Sequence, residues 1–183
     1  MNFCSNCAAP VVQRIPAGDD RPRYVCDSCD TVFYHNPKII AGCIAEWGDR
    51  ILLCRRAIEP RSGAWTLPAG FMENGESTPD AAAREAMEEA CARVEVGALH
   101  CYFSIPRISQ VYVIFLARLL DPAVAAGPES LEVGLFDEAS IPWDELAFPS
   151  IERALERYFE DRRRGQFGTH VEEIHRRAPP RGA

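Results

Sequence analysis

Two styles of hydrophobic patterning divide the sequence. Residues 1 to about 36 carry only short strand-like runs, VVQRI, RYVC and TVFYH, and the turn residues of PAGDDRP separate the first two as in a hairpin. HNPK marks a boundary, beyond which the apolar runs lengthen. IIAGCIAEW, a turn at GDR and ILLCRRAI predict a second hairpin. The Pro- and Gly-rich stretch EPRSGAWTLPAGFMENGES predicts loop with one short strand. A helix follows, with Thr78 as N-cap and Pro79 at its first position, where a missing N–H costs nothing. On it Ala82, Ala83, Ala86, Met87 and Ala90 fall on the side away from Glu85, a face suited to close packing on a sheet. RVEVGALHCYFSI and SQVYVIFLARLL predict strands, and GPESLEVGLF a loop entering another. PSIERALERYFEDRRR predicts an amphipathic helix with Ile151, Leu155, Tyr158 and Phe159 on one face. Residues 166–183, with scattered charge and little periodicity, predict a flexible tail. The expected organisation is a small domain over 1–36, an α/β domain over 37–165, and that tail.

Composition changes this picture little. With 183 residues, 47% hydrophobic and 26% charged, the chain has the balance of a soluble globular protein. No apolar run reaches the eighteen or so residues of a membrane span, and no signal peptide is visible, so a cytoplasmic protein is expected. The net charge of -7 argues against a nucleic-acid partner, which needs a basic surface. It leaves room for a small anionic substrate, because bound cations reverse a local potential.

The stretch REAMEEAC stands out. Glu85, Glu88 and Glu89 are spaced three and four apart, so all three project within an arc of about 100° on one helix face. Alone, such a run is most simply a solvated charged face. As a set, the three carboxylates also form an oxygen site for a hard divalent cation such as Mg²⁺ or Mn²⁺, of the kind that shares its ligands with substrate phosphates. Arg84 lies beside Glu85, and its pairing with Glu76 would tie the upstream loop to the helix.

Read from Gly70, the segment GFMENGESTPDAAAREAMEEACA closely resembles the Nudix box, and AWTLPAGF before it is similar to the family's usual lead-in. The resemblance implies a Nudix α/β/α sandwich with a mixed sheet. It implies a structural pair of Glu76 with Arg84, and a catalytic metal held by Glu85, Glu88, Glu89 and the Gly70 carbonyl. It further implies hydrolysis of a phosphoanhydride, with the proton accepted by Glu85 or by a glutamate of a later loop, here Glu129 or Glu132. One position departs from the pattern: the family's terminal glycine is Cys91, which takes a left-handed backbone poorly, so the helix is expected to end differently. Two rivals stand beside an active enzyme. One is a Nudix domain that has lost catalysis, and the other a non-catalytic nucleotide sensor whose N-terminal domain binds a partner.

Eight cysteines fall into two groups. Cys4, Cys7, Cys26 and Cys29 form C-x2-C-x18-C-x2-C, the spacing of a structural zinc site with four thiolates and no open position. Disulfides or iron in the same cage are the alternatives. Arg14, Arg21, Arg23, Tyr24, Phe33 and Tyr34 would suit nucleic acid, but Asp19, Asp20, Asp27 and Asp30 dilute them, and a packing or homodimer-forming role fits better. His35 reads as a surface or packing residue. Cys43, Cys54, Cys91 and Cys101 read as small buried hydrophobes.

A zinc ribbon ahead of a Nudix domain resembles the NADH pyrophosphatases, but their SQPWPFPxS motif is replaced here by SIPRISQVYVIF. FCSNC, NPKIIAGCIAEW and PESLEVGLFDEASIPWDELAF are closer to the group that includes plant chloroplast FAD and ADP-ribose pyrophosphatases. That likeness implies cleavage of FAD, ADP-ribose or a similar dinucleotide to two monophosphates. For substrate contacts, Trp65, Phe71 and Tyr112 are candidates to stack on a base, and Arg55 or Arg56 to meet phosphate. A core position is the plainer reading for Tyr112.

Overall fold

A computed structural model of the chain describes residues 1–175. It separates into two units, Met1–Pro37 and a second beginning at Lys38. In the first, β1 (Val11–Arg14), β2 (Arg23–Cys26) and β3 (Val32–Phe33) form an antiparallel three-stranded sheet. Its only buried residues are Cys4, Pro16, Val25 and Cys26. So small a core cannot hold a chain of this length together by hydrophobic burial. Arg23 and Asp19 pair across the β1–β2 turn at 2.9 Å, a minor contribution beside what the four thiols supply if cross-linked by a metal.

The second unit is built on the long apolar runs. β4 (Lys38–Trp47) and β5 (Arg50–Arg56) are joined by the Gly48–Asp49 turn. β6 (Trp65–Thr66) and β7 (Ala69–Phe71) are two short strands where one was predicted; they pair with β5 and β4. After α1 (Thr78–Ala90) come β8 (Val94–Ile105), β9 (Gln110–Leu119), β10 (Ser130–Phe136), α2 (Pro149–Arg164) and β11 (His170–Glu173). The main path of the sheet runs β10-β5-β4-β9-β8-β11, parallel at β4–β9 and β8–β11 and antiparallel elsewhere, so the sheet is mixed.

The alternation along each central strand feeds two cores. Ile40, Ile44, Ile51, Leu53 and Ile114 face the same cluster as Ile151, Leu155, Tyr158 and Phe159 of α2. Cys43, Ala45, Leu52, Cys54 and Val113 pack with Ala82, Ala86 and Ala90 of α1. A sheet with a helix against each face gives an α/β/α sandwich, and it explains why β4 reads as a continuous apolar run. Each large side chain of α2 in this core stabilises by about 1.5–3 kcal/mol. The Tyr158 hydroxyl also donates to Glu46 Oε1 at 2.6 Å, and Arg162 donates to the Asp49 carbonyl at 2.8 Å, anchoring α2 on the β4–β5 hairpin.

The predicted flexible tail needs correction over its first part. Gly165 ends α2 in a left-handed conformation (φ 67°), the chain turns back, and HVEE adds a parallel strand to β8. Glu172 holds it there through Arg153 (2.8 Å) and Arg157 (2.6 Å) on α2. The rest of that prediction, 176–183, lies outside the described residues. Of the four scattered cysteines, Cys43, Cys54 and Cys101 are buried as expected, but Cys91 is exposed.

Gly42 decides how closely the β6–β7 segment approaches β4, since an added Cβ would collide with the Pro68 carbonyl and the Ala69 side chain. Gly42→Ala is expected to cost about 1–3 kcal/mol as an overpacked contact, read from a lower urea midpoint at unchanged m-value.

Candidate active site

The acidic helix begins one residue earlier than predicted. Ser77, not Thr78, is the cap: its backbone is extended, and its hydroxyl accepts the Asp80 N–H at 3.3 Å while donating to Asp80 Oδ2 at 2.5 Å, leaving Thr78 as the first helical residue. The buried face also differs. Met87 is 43% exposed and Ala83 only half-buried, whereas Ala81, Glu85 and Glu89 are buried with Ala82, Ala86 and Ala90. The Ala81-Glu85-Glu89 row lies along the loop from Leu67 to Phe71 rather than in solvent. Glu89 Oε2 accepts the Ala69 N–H at 3.2 Å, and Gly70 has no room for a Cβ because the Glu85 carboxylate occupies that space.

Arg84 organises the cluster. Nε and Nη2 grip Glu76 through both its oxygens, at 3.0 and 2.9 Å. Nη2 also donates to the Phe71 carbonyl at 3.1 Å, and Nη1 donates to Glu85 Oε1 and Glu88 Oε2, each at 2.8 Å. These bonds occupy all the N–H groups a guanidinium has. Glu76 Oε1 also accepts the Glu73 N–H at 2.6 Å, so the whole 71–76 loop is fastened to α1. The Glu76 carboxyl is held below the usual carboxylate range by Arg84.

The helix terminus corrects another expectation. Cys91 itself adopts the left-handed conformation (φ 49°, ψ 29°), with its N–H on Met87 O at 2.9 Å and the Ala92 N–H on Ala86 O at 3.1 Å. Its side chain is exposed, so the conformation costs only about 1–2 kcal/mol of backbone strain. The next carbonyls are covered by a later loop: Ala125 donates to Ala90 O and Gly127 to Glu89 O, each at 3.0 Å. At Gly127 an added Cβ would run into the Glu88 carbonyl, so only glycine permits this approach. Glu129 follows two residues later, with its own carbonyl taken by the Ala57 N–H at 2.8 Å.

Glu85, Glu88, Glu89 and Glu129 all line one cavity of about 860 Å³, as do Gly70 and Arg84. Burial raises the Glu85 carboxyl above its usual value and pushes Glu89 up to about 8, and the Glu129 charge adds to both. One guanidinium shared among Glu76, Glu85 and Glu88 leaves these hard oxygen donors short of positive charge, and without a cation Glu89 holds a proton instead. The donor set and its charge fit an Mg²⁺- or Mn²⁺-type cation. The rest of the lining suits an organic group. Phe71 is 48% exposed, with Lys38 Nζ 4.8 Å from its ring centre. The Arg56 guanidinium lies 5.2 Å over Phe148, and Tyr112, although only 8% exposed, reaches the same space.

Three sequence candidates lie elsewhere. Trp65 is a core residue, edge-on to Phe136 at 4.9 Å and outside the cavity lining. Glu132 is on β10 beyond a register shift and faces Arg55 at 3.6 Å. Arg55 donates instead to the Gly63 carbonyl at 2.9 Å, away from the cavity. Phe148, Ile108 and Gly127 were not anticipated. Gly127 carried a signal in its Gly-Pro pair, whereas Phe148 and Ile108 are brought to the cavity only by tertiary folding.

In the N-terminal unit the Cys4 and Cys29 sulfurs are 3.6 Å apart and those of Cys7 and Cys26 3.4 Å. Tetrahedral zinc with four thiolates needs about 3.8 Å, so the cluster fits that ion. His35 instead packs its ring 5.4 Å from Tyr24 and is not one of these ligands.

Comparison with known proteins identifies the family. The sequence matches the Nudix N-terminal family over residues 2–35 and the NUDIX domain over residues 36–161. An ADP-ribose pyrophosphatase of Methanocaldococcus jannaschii is 31% identical over 119 residues, 63% of this chain and 69% of that protein. The NAD-capped RNA hydrolase NudC of Pseudomonas putida is 37% identical over 97 residues, 51% of this chain but only 32% of that longer protein. The crystal structure of a NUDIX hydrolase from Nitrosomonas europaea superposes with a TM-score of 0.93 at 53% identity, covering 96% of this chain and 100% of that one. The chain belongs to the NUDIX family of pyrophosphohydrolases, with a zinc ribbon of the Nudix N-terminal type ahead of the hydrolase domain.

Proposed function

We propose that this chain hydrolyses the diphosphate bond of ADP-ribose, FAD or a similar nucleoside diphosphate derivative to two monophosphates, with Mg²⁺ as cofactor. The observation that carries the reading is a single cavity in which four glutamates of α1 and the 127–129 loop share space with Phe71, Tyr112 and Phe148. A diphosphate needs the first set and a base or flavin the second. The relative named as an ADP-ribose pyrophosphatase supports the substrate class. The four-thiol ribbon favours a reducing compartment, here the cytoplasm, and we assign it a packing or dimer-forming role.

Glu85, Glu88, Glu89 and the Gly70 carbonyl are the residues that would hold the cation. Bound there, a divalent ion neutralises charge on the diphosphate and lowers the pKa of an attacking water. The chain's own groups do the rest. Arg84 keeps the loop that presents Gly70 fixed against α1. Glu129 accepts the proton of the water as its oxygen bonds to phosphorus and the bridging P–O bond breaks, the leaving phosphate departing with its electron pair. Glu129 is preferred to Glu85, whose Oε1 is held by Arg84, and to Glu132, which faces Arg55 outside the cavity. Arg56 meets the substrate phosphates from the cavity wall.

A panel of ADP-ribose, FAD, NADH, NAD-capped RNA and dinucleoside polyphosphates, assayed by chromatography with Mg²⁺, with Mn²⁺ and with EDTA, tests the reading. Metal-dependent formation of two monophosphates from ADP-ribose or FAD is expected. Cleavage of capped RNA alone would shift the substrate to nucleic acid, and no cleavage of any compound would leave the non-catalytic sensor.

Glu85→Gln and Glu89→Gln are each expected to lower turnover at least about a hundredfold with an unchanged circular dichroism spectrum. Glu129→Gln should lower kcat by about a hundredfold or more, while Glu132→Gln stays near wild type. The reverse order for this pair would make Glu132 the base. Gly127→Ala, which must lift the loop off α1, is expected to lower kcat by about ten- to a hundredfold with KM little changed. Full kcat in that variant would mean that the loop does not position Glu129.

A further inference from the structure

A second group of metal-type ligands lies outside the active-site cavity. It comprises His100 on β8, Asp161 on α2 and His170 at the start of β11. One ligand atom from each lies within 4.8 Å of the other two. His100 is fully buried, and its Nδ1 sits 3.2 Å from the Gly168 carbonyl. A carbonyl only accepts, so Nδ1 carries the hydrogen and Nε2 is left with a bare lone pair. Among the described residues nothing donates to that Nε2. An unsatisfied buried polar atom is costly, and it asks for a partner that accepts a lone pair or donates a proton.

The surroundings match a histidine ligand. Metal-binding imidazoles commonly fix their second nitrogen on a backbone carbonyl, as Gly168 does here. Asp161 is 4% exposed, and its Oδ2 accepts both the Gly168 N–H (3.0 Å) and His170 Nε2 (2.8 Å). The His100 and His170 rings stand 5.1 Å apart and nearly perpendicular, at 80°.

We propose that His100, Asp161 and His170 form a second transition-metal site, with zinc as its occupant, that fastens β11 to β8 and α2. Two imidazoles and one carboxylate are a donor set for zinc and its neighbours in the first transition row rather than for Mg²⁺. Ligands about 2.0–2.1 Å from a tetrahedral ion lie about 3.4 Å from one another, so the widest separations need to close by no more than about 1.4 Å and the 2.8 Å His170–Asp161 pair to open by about 0.6 Å. On binding, the hydrogen that His170 Nε2 donates to Asp161 leaves that nitrogen, passing to Nδ1 in a neutral ring or to water from a charged one, and frees the lone pair for the ion. The fourth position belongs to water on the His170 side, where the cluster reaches the surface.

The test is metal stoichiometry of the full chain, purified without a polyhistidine tag, loaded with zinc and desalted. Wild type is expected to retain two zinc equivalents, one in the ribbon. His170→Gln and Asp161→Asn should each retain one, and after cobalt exchange the ion they lose should lack thiolate-to-cobalt absorption. His170 has a partly exposed side chain, so that variant keeps the test open if Asp161→Asn fails to fold. A single equivalent in wild type and His170→Gln alike would overturn the proposal and leave a metal-free His–Asp hydrogen bond. Loss of the second equivalent in Glu89→Gln rather than in His170→Gln would assign it to the acidic cavity, which also overturns it.

Discussion

The active site depends on one guanidinium whose every N–H is committed. Arg84 joins Glu76 in the loop, the Phe71 carbonyl at the cavity edge, and Glu85 and Glu88 on the helix. Each bond is charge-assisted or aimed at an otherwise unpaired carbonyl, and the bidentate grip on Glu76 fixes direction as well as distance. Without it, the segment 73–76 would have little to hold it beyond the Met72 N–H on the Ile39 carbonyl, since Glu73, Asn74 and Gly75 are exposed and contribute no core. Arginine is required here in a way lysine could not match, because a single ammonium cannot bridge a loop carboxylate and two helix carboxylates in one plane. Arg84 therefore sets the loop, the Gly70 position and the orientation of two carboxylates together.

A second constraint acts at the other end of α1. The carbonyls of Glu89 and Ala90 receive N–H groups from the 125–127 segment, and Gly127 permits the contact by having no side chain. The helix is thus closed by Cys91 and Ala92 on the preceding carbonyls and by a separate loop on the last ones. That closure is also what delivers Glu129 to the cavity. The family's glycine is absent at Cys91, yet the left-handed turn survives because an exposed side chain leaves only backbone strain to offset.

What was legible in the sequence follows from periodicity. The three helix glutamates are fixed on one face by helix geometry alone, and the two CxxC pairs fix the ribbon, so both are readable before any fold is known. A strand covered on both faces is readable in the run IIAGCIAEW, whereas the mixed sheet is an implication of the resemblance to the Nudix box and not of the pattern. Positions set by long-range register were not readable. Glu129 and Glu132 differ in the sequence only by spacing, and a register shift between Ser130 and Glu132 turns one toward the cavity and the other toward Arg55. Trp65 reads as a stacking platform until β6 pairs with β5 and sets its ring against Phe136. HVEE is too short to predict as a strand, and it becomes one because Arg153 and Arg157 of α2 converge on Glu172.

Charge explains why, under the proposed function, the cavity would need a cation before it could hold a diphosphate. Six glutamates line it, Arg84 is spent on two of them and on Glu76, and Arg56 is the other basic residue of the lining, with the Lys38 amine against Phe71. A phosphate oxygen about 4 Å from one carboxylate meets a repulsion of about 4 kcal/mol at the effective dielectric of a protein surface. Several such terms exceed what one arginine and one lysine return. A hard divalent ion held there would reverse the sign of that field at the very atoms that repel, whereas Phe71 and Phe148 draw the cations Lys38 and Arg56 to their faces and leave room for an organic ring. Under the proposed function, recognition of the organic group and handling of the diphosphate would therefore be separate in this site, and only the second would require the metal.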